Sequence, residues 1–370
     1  MKWSWKIGRI AGIDVRVHAT FVILLAWLAL AFYRESGTAT GAARGVLFTL
    51  ALFASVVAHE FGHALVARRF GVPTRDITLL PIGGVSRLEY IPDRPKQEFW
   101  IAIAGPGVTL VIAALLYVAL RVFALPVTAP SEAAGGGTGG AFLAQLMWVN
   151  VWLLLFNLLP AFPMDGGRVL RATLALRMDY LRATDIAASV GRSFALLFGI
   201  WGLFYNPFLV LIALFVWLGA AGESSALHTR SSLVGVPVER VMVREVKTLA
   251  PTDTLNTALS HVLGGFQHDF PVTQDGKVIG VLTRGALLNG LARHGSESLV
   301  RENMEQVFRV AEPSEPVQAA MTRLQECRCR SLPVVRDGRL YGMLTLDNIG
   351  EFVTIAEALR GSAARVATPS

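Results

Sequence analysis

The sequence predicts a polytopic α-helical membrane protein of about six transmembrane helices, followed by a cytosolic α/β module built on a tandem repeat. Three observations carry that expectation. Of 370 residues, 53% are hydrophobic and only 16% are charged, whereas a soluble domain is about 45–50% apolar and about 25% charged. The apolar residues gather into runs long enough to cross a bilayer, all of them before residue 223. In the remainder, Phe270–Thr283 recurs as Leu332–Thr345 at an offset of 62 residues.

Charge sorts the two halves. Residues 1–230 carry 19 Lys and Arg against 12 Asp and Glu, while residues 231–370 carry 15 of each. The whole net charge of +7 therefore lies in the apolar half. That suits basic residues flanking spans on one side of a membrane and argues against a nucleic-acid partner. The only two cysteines, Cys327 and Cys329, exclude a disulfide scaffold and are too close for a CxxC redox or zinc pair.

The elements follow in order. Lys2, Lys6, Arg9 and Arg16 spread over an amphipathic lead-in, and no small-residue cleavage site follows the first apolar run, so this is not a signal peptide. A hydrocarbon core of about 30 Å needs about 20 apolar helical residues. Ala19–Tyr33, with its flanks, just reaches that length; Gly45–Phe70, Phe99–Leu120 and Phe142–Pro163 are longer. Ser193–Tyr205 and Pro207–Gly222 meet at the turn signal Asn206-Pro207, with the first of this pair expected to start before Ser193. The lead-in and the segments after spans two and four are basic (Arg68, Arg75 and Arg94; Arg168, Arg171 and Arg182), whereas the loops 34–44 and 122–141 are charge-poor, the latter with the Gly-rich run Ala134–Gly140. Six spans then put both termini in the cytoplasm of a multi-pass cell-membrane protein. The domain limits expected are 1–222 for the membrane domain, 223–237 for a linker, 238–295 and 296–360 for the repeats, and 361–370 for a disordered tail.

Span two contains His59-Glu60-Phe61-Gly62-His63. Two His at i and i+4 share one helix face, so both imidazoles can reach one cation, and Glu60 one step round can serve as base. Ionisable groups inside a span cost about 2.5–3.5 kcal/mol each at its centre and are functional by default. The alternative is a polar cluster facing neighbouring helices or a proton path. A catalytic zinc takes three protein ligands and keeps one open position. The best candidate for the third is Asp165, the only acid between Glu132 and Asp179, after Pro160 and Pro163 and before Gly166-Gly167. Asp165 as a helix cap or a partner of Arg168 is the competing reading.

The pair of motifs, HEFGH with Asn157-Leu158-Leu159-Pro160-Ala161-Phe162-Pro163-Met164-Asp165-Gly166-Gly167, resembles the site-2 protease family of intramembrane zinc metalloproteases. The resemblance covers about residues 1–222. It implies one zinc ion per chain held by His59, His63 and Asp165, with Glu60 as the catalytic base, and it marks Asn157 as a substrate or oxyanion contact. Pro81-Ile82-Gly83-Gly84-Val85 and Ala104-Gly105-Pro106 echo further family segments. Gly83 and Gly84 are either an ordinary turn or part of an edge strand that pairs with an extended substrate. With Arg68 five positions after His63, a zinc site lies about 8–14 Å inside the cytoplasmic boundary, so cleavage falls toward the cytosolic side of the substrate span. His18, beside Arg16, is read as an interfacial residue and not a ligand.

Each soluble repeat reads as strand, Asp-Gly turn, strand and helix, with a helical stretch before it. It resembles a pair of CBS domains, a tandem module that often binds adenine nucleotides such as ATP. The family's phosphate- and ribose-contacting end is represented by Thr345 and Asp347 in the second copy; the first keeps Thr283 but has Arg284-Gly285 where an acid would stand. Nucleotide sensing and a purely structural role, including a homodimer through the pair, stay open. The function expected is regulated intramembrane proteolysis of a single-span membrane protein within the lipid bilayer. A transporter or channel carrying CBS domains is the rival class. It gives no reason for HExxH together with a DGG segment, and the membrane half lacks the repeated halves of many transporters.

Overall fold

A computed structural model describes residues 3–81, 83–88, 94–127, 139–327 and 329–366. Most of the Gly-rich run Ala134–Gly140, Ile82 and the last four residues lie outside the described residues. The chain divides into two units, Met1–Ser225 and Ala226–Ser370.

The first unit opens on a hairpin, β1 (Ser4–Ile10) and β2 (Ile13–His18), where the sequence suggested an amphipathic lead-in. The reason is period-two burial: Ile13 and Val15 are buried with polar residues between them, and Ala11-Gly12 turn the chain at positive φ of 51° and 86°. Two long helices follow, α1 (Ala19–Ser36) and α2 (Ala39–Arg69). His18 accepts from the Thr20 N–H at the start of α1, a capping role in keeping with its reading as a non-ligand. Next come β3 (Thr74–Leu80) and β4 (Gly83–Leu88), which complete a four-stranded sheet in the order β1-β2-β3-β4. β4 pairs antiparallel with β3 and is the terminal strand of that sheet. Then come α3 (Pro95–Val122), α4 (Gly139–Asn157), the short α5 (Asp165–Leu174), α6 (Tyr180–Tyr205) and α7 (Pro207–Ser232).

Six helices among the described residues are long and apolar enough to span a membrane: α1 to α4, α6 and α7. They correspond to the expected spans, and α6 begins at Tyr180, ahead of Ser193 as anticipated. Their outer faces carry exposed Trp27, Leu115, Trp201, Phe204 and Phe208. Such a surface suits lipid and would be a liability in water.

In the second unit, α8 (Leu255–Leu263), β5 (Phe270–Gln274), β6 (Lys277–Leu282) and α9 (Arg284–His294) form the first repeat. After the single turn α10 (Val300–Asn303), the second repeat follows with α11 (Val317–Cys327), β7 (Ser331–Arg336), β8 (Arg339–Thr345) and α12 (Leu346–Val366). The Asp-Gly turns behave as read: Asp275-Gly276 and Asp337-Gly338 all have positive φ, as a type I′ hairpin requires. The sheet order is β5-β6-β8-β7, with Lys277 facing its repeat equivalent Arg339 across the centre.

Two limits need correction. Residues 223–237 are not a free linker. Helix α7 continues to Ser232, and Leu233 and Val236 are buried in the apolar core of the second repeat with Val317 and Leu344. Residues 223–237 are polar enough to pass for a loop, but Leu233 and Val236 are apolar and the core of the second repeat covers them. Helix α12 also runs past 361, to Val366. The structure also joins Cys327 to Cys329 in a disulfide, a local bond that closes no large loop.

Candidate metal centre

Helix α2 presents His59 and His63 one turn apart, both buried. Asp165 reaches them because the chain breaks after α4 and turns back. Phe162-Pro163 is a cis peptide, and the Ala161 N–H bonds to the Leu159 carbonyl. Gly166 and Gly167 make the fold-back fit, since a Cβ on Gly166 would stand 2.2 Å from the Leu159 carbonyl oxygen and one on Gly167 2.6 Å from the Phe162 nitrogen. Asp165 thereby starts α5 beside the two histidines.

The three donor atoms form a triangle. His59 Nε2, His63 Nε2 and Asp165 Oδ2 are each 3.1 Å from the other two. The far nitrogens decide what fills it. His63 Nδ1 is 2.6 Å from the Ile101 carbonyl, which can only accept, so Nδ1 carries the proton. His59 Nδ1 is 2.9 Å from Thr109 Oγ1, and that hydroxyl donates to the Gly105 carbonyl, so Nδ1 donates here also. Both Nε2 atoms then aim lone pairs, with a carboxylate oxygen, at one point. That arrangement is repulsive unless a cation sits there. Donors about 2.0–2.1 Å from a tetrahedral zinc lie about 3.3 Å apart, close to the observed triangle. The residues therefore fit zinc by their chemistry and their spacing. Among the described residues this is the one His, Cys, Asp and Glu group of three or more able to share an ion.

Gly105 of α3 makes room for it. A Cβ there would stand 2.2 Å from His63 Nε2 and 2.6 Å from His59 Nε2. Gly105→Ala should therefore swing both imidazoles aside and cut zinc content by more than half at unchanged expression. Metal analysis of the purified variant checks this.

Glu60 is half-buried on α2, next to β4: a Cβ on Gly84 would lie 2.7 Å from Glu60 Cγ. Gly83 and Gly84 thus belong to a strand and not to a simple turn. Asn157 ends α4, and its side-chain amide donates to the Leu153 carbonyl rather than to His59, His63 or Asp165. Thr109 and the Ile101 carbonyl were missed from sequence. Their signal is positional, since both lie on the α3 face that carries Gly105.

Comparison with known proteins follows this geometry. The model of Peptidase family M50 matches residues 47–139 and 126–198, and the CBS domain model matches 238–293 and 300–353. Zinc metalloprotease MJ0392 of Methanocaldococcus jannaschii is 33% identical over 359 residues, covering 96% of this chain and 98% of that protein. The chain belongs to peptidase family M50. Stage IV sporulation protein FB of Bacillus subtilis is 28% identical over 262 residues, covering 68% of this chain and 85% of that protein. A solved site-2 protease from Methanocaldococcus jannaschii is 38% identical, covers 60% of this chain and 95% of its own, and has a TM-score of 0.44. This M50 peptidase is a multi-pass membrane metalloprotease with a CBS pair. The transporter alternative falls with that assignment.

In the CBS pair, a cavity of about 170 Å³ is lined by Asp269, Thr283, Glu305, Arg309, Arg330 and the disulfide, among others. Thr283 caps α9 and donates to Glu305, while Asp269 accepts from Ser331. Thr345 and Asp347 do not line it: Thr345 caps α12 and Asp347 is exposed.

Proposed function

We propose that this M50 peptidase holds one zinc ion through His59, His63 and Asp165. It hydrolyses a peptide bond in a single-span membrane protein, toward the cytosolic side of the substrate's span. The converging lone pairs of the three donors carry the reading. Bound zinc supplies Lewis acidity, which lowers the pKa of a coordinated water to about 7 and polarises a carbonyl. Glu60, beside the donors on α2, takes the proton of the attacking water and returns it to the leaving amine. Thr109 and the Ile101 carbonyl hold the imidazoles in the tautomer that leaves Nε2 free.

A membrane helix hides its amides in hydrogen bonds, so the substrate must extend before cleavage. The terminal strand β4 offers backbone groups for that extended segment, and Gly84 brings it against Glu60. Gly84→Ala should therefore slow cleavage about tenfold while leaving zinc bound, since its Cβ meets Glu60 and not the donors. A cleavage rate equal to wild type would remove β4 from the reaction. Basic loops after the second and fourth spans support cytoplasmic termini.

Adenine nucleotide at the CBS pair, ATP included, is the regulatory reading, with Thr283 as the candidate contact supported by the cavity. At about 170 Å³ the cavity is below the ~300–1,000 Å³ of ordinary ligand pockets, so binding requires it to widen. Thr345, Asp347 and Asn157 have less support. A homodimer through the pair is the structural alternative.

The test is cleavage of a co-expressed single-span substrate in detergent extracts, followed by fragment mass. Chelation should abolish cleavage and zinc should restore it. Activity that survives full metal removal would overturn the reading.

A further inference from the structure

One face of α3 addresses both histidine donors of the centre and the helix that Asp165 begins. Glu98, Ile101, Gly105 and Thr109 follow at spacings of three, four and four, which is one stripe of a helix, and all four are buried. Ile101 holds His63, Thr109 holds His59, and Gly105 leaves them space. Glu98 is the remaining member, and it does not touch a donor. It binds Arg171, on the helix that Asp165 begins.

Arg171 is 2% exposed, and its Nε lies 2.8 Å from Glu98 Oε1. Its Nη1 reaches Glu223 Oε1 of α7 at 2.7 Å, and Tyr180 of α6 donates to Glu98 Oε2 at 2.8 Å. The guanidinium also lies over the fully buried Phe162 ring, 4.9 Å from its centroid. Phe162 stands three residues before Asp165, and Gly167 packs against its backbone. The fold-back that delivers Asp165 is therefore gripped from both sides: by its own glycines within, and by Arg171 from outside. A buried cation shared by two carboxylates is an expensive way to join helices. Apolar packing would join them as well, but it would not fix α5 in rotation. A forked guanidinium held by Glu98 does fix it.

We propose that Glu98 and Arg171 are positioning residues of the metal centre. Through them α3 sets the Asp165 carboxylate, as it sets His59 through Thr109 and His63 through Ile101. The proposal rests on the metal reading above. Glu223 is a secondary partner, since its side chain is 26% exposed against 5% for Glu98.

The experiment measures zinc affinity of the full-length protein in detergent by chelator competition, and the visible absorption of the cobalt-substituted form. Wild type and His63→Ala come first; no difference between them defeats the metal reading itself. Given that difference, Glu98→Gln and Arg171→Met should each weaken zinc about 10–100-fold, the range for groups one shell beyond the ligands, and alter the cobalt spectrum. Because Glu98 acts through Arg171, Glu98→Gln in the Arg171→Met background should add less than about twofold. Tyr180→Phe, which removes one hydroxyl donating to Glu98, should give the same spectral change in smaller measure, and it serves where Arg171→Met does not accumulate. Folded variants with wild-type zinc affinity and an unchanged cobalt spectrum, or fully additive effects, would overturn the proposal.

Discussion

Glu60→Gln keeps its zinc and loses its protease activity. The substitution is close to isosteric, and Glu60 is not one of the three converging donors, so α2 and the His59–His63–Asp165 triangle stay in place. What disappears is the ability to accept a proton, because an amide cannot take one at neutral pH. General base and acid assistance is worth about 10²–10⁴-fold in rate, and here one side chain serves both proton transfers. Cleavage should fall at least that far, to background in a co-expression assay. Metal content and substrate co-purification should remain at wild-type levels. Cleavage at the wild-type rate would mean that another group handles the proton.

Asp165→Asn acts on the other half of the site. Two neutral imidazoles and one carboxylate leave a divalent ion with one uncompensated charge; replacing the carboxylate leaves two. In a buried site that difference is large, because charge is poorly screened there. Zinc affinity should fall more than about 100-fold, beyond the 10–100-fold seen for groups that only orient ligands. The fold should persist. Asn is as acceptable as Asp at a helix start, and Gly166, Gly167 and the Arg171 contacts are untouched. Zinc retained at wild-type affinity would remove Asp165 from the set of metal ligands.

The sequence made different parts of the molecule legible for different reasons. Spans are visible because lipid demands long apolar runs, and the hairpins at Asp275-Gly276 and Asp337-Gly338 because two successive positive φ angles select Asp and Gly. His59 and His63 can be read as a pair because four residues make one helical turn. Asp165 needed a second motif, since no local spacing links residue 59 to residue 165. The amphipathic lead-in was legible, but its β1–β2 hairpin was not, because residues 4–18 mix basic and apolar residues without a clear period; burial of Ile13 and Val15 reveals the strand. Thr109 and Glu98 stayed hidden because their roles depend on which way α3 faces. A helix apolar on most sides does not announce its inner stripe. Cys327 and Cys329 were dismissed on spacing, yet they are bonded where they line the cavity of the CBS pair.

X-ray absorption at the zinc edge of the purified full-length protein tests the central claim most directly. Two imidazole nitrogens and oxygen donors at about 2.0–2.2 Å, with one nitrogen lost in His63→Ala, is the expected result. A sulfur neighbour at about 2.3 Å, or a spectrum that ignores the loss of His63, would contradict it.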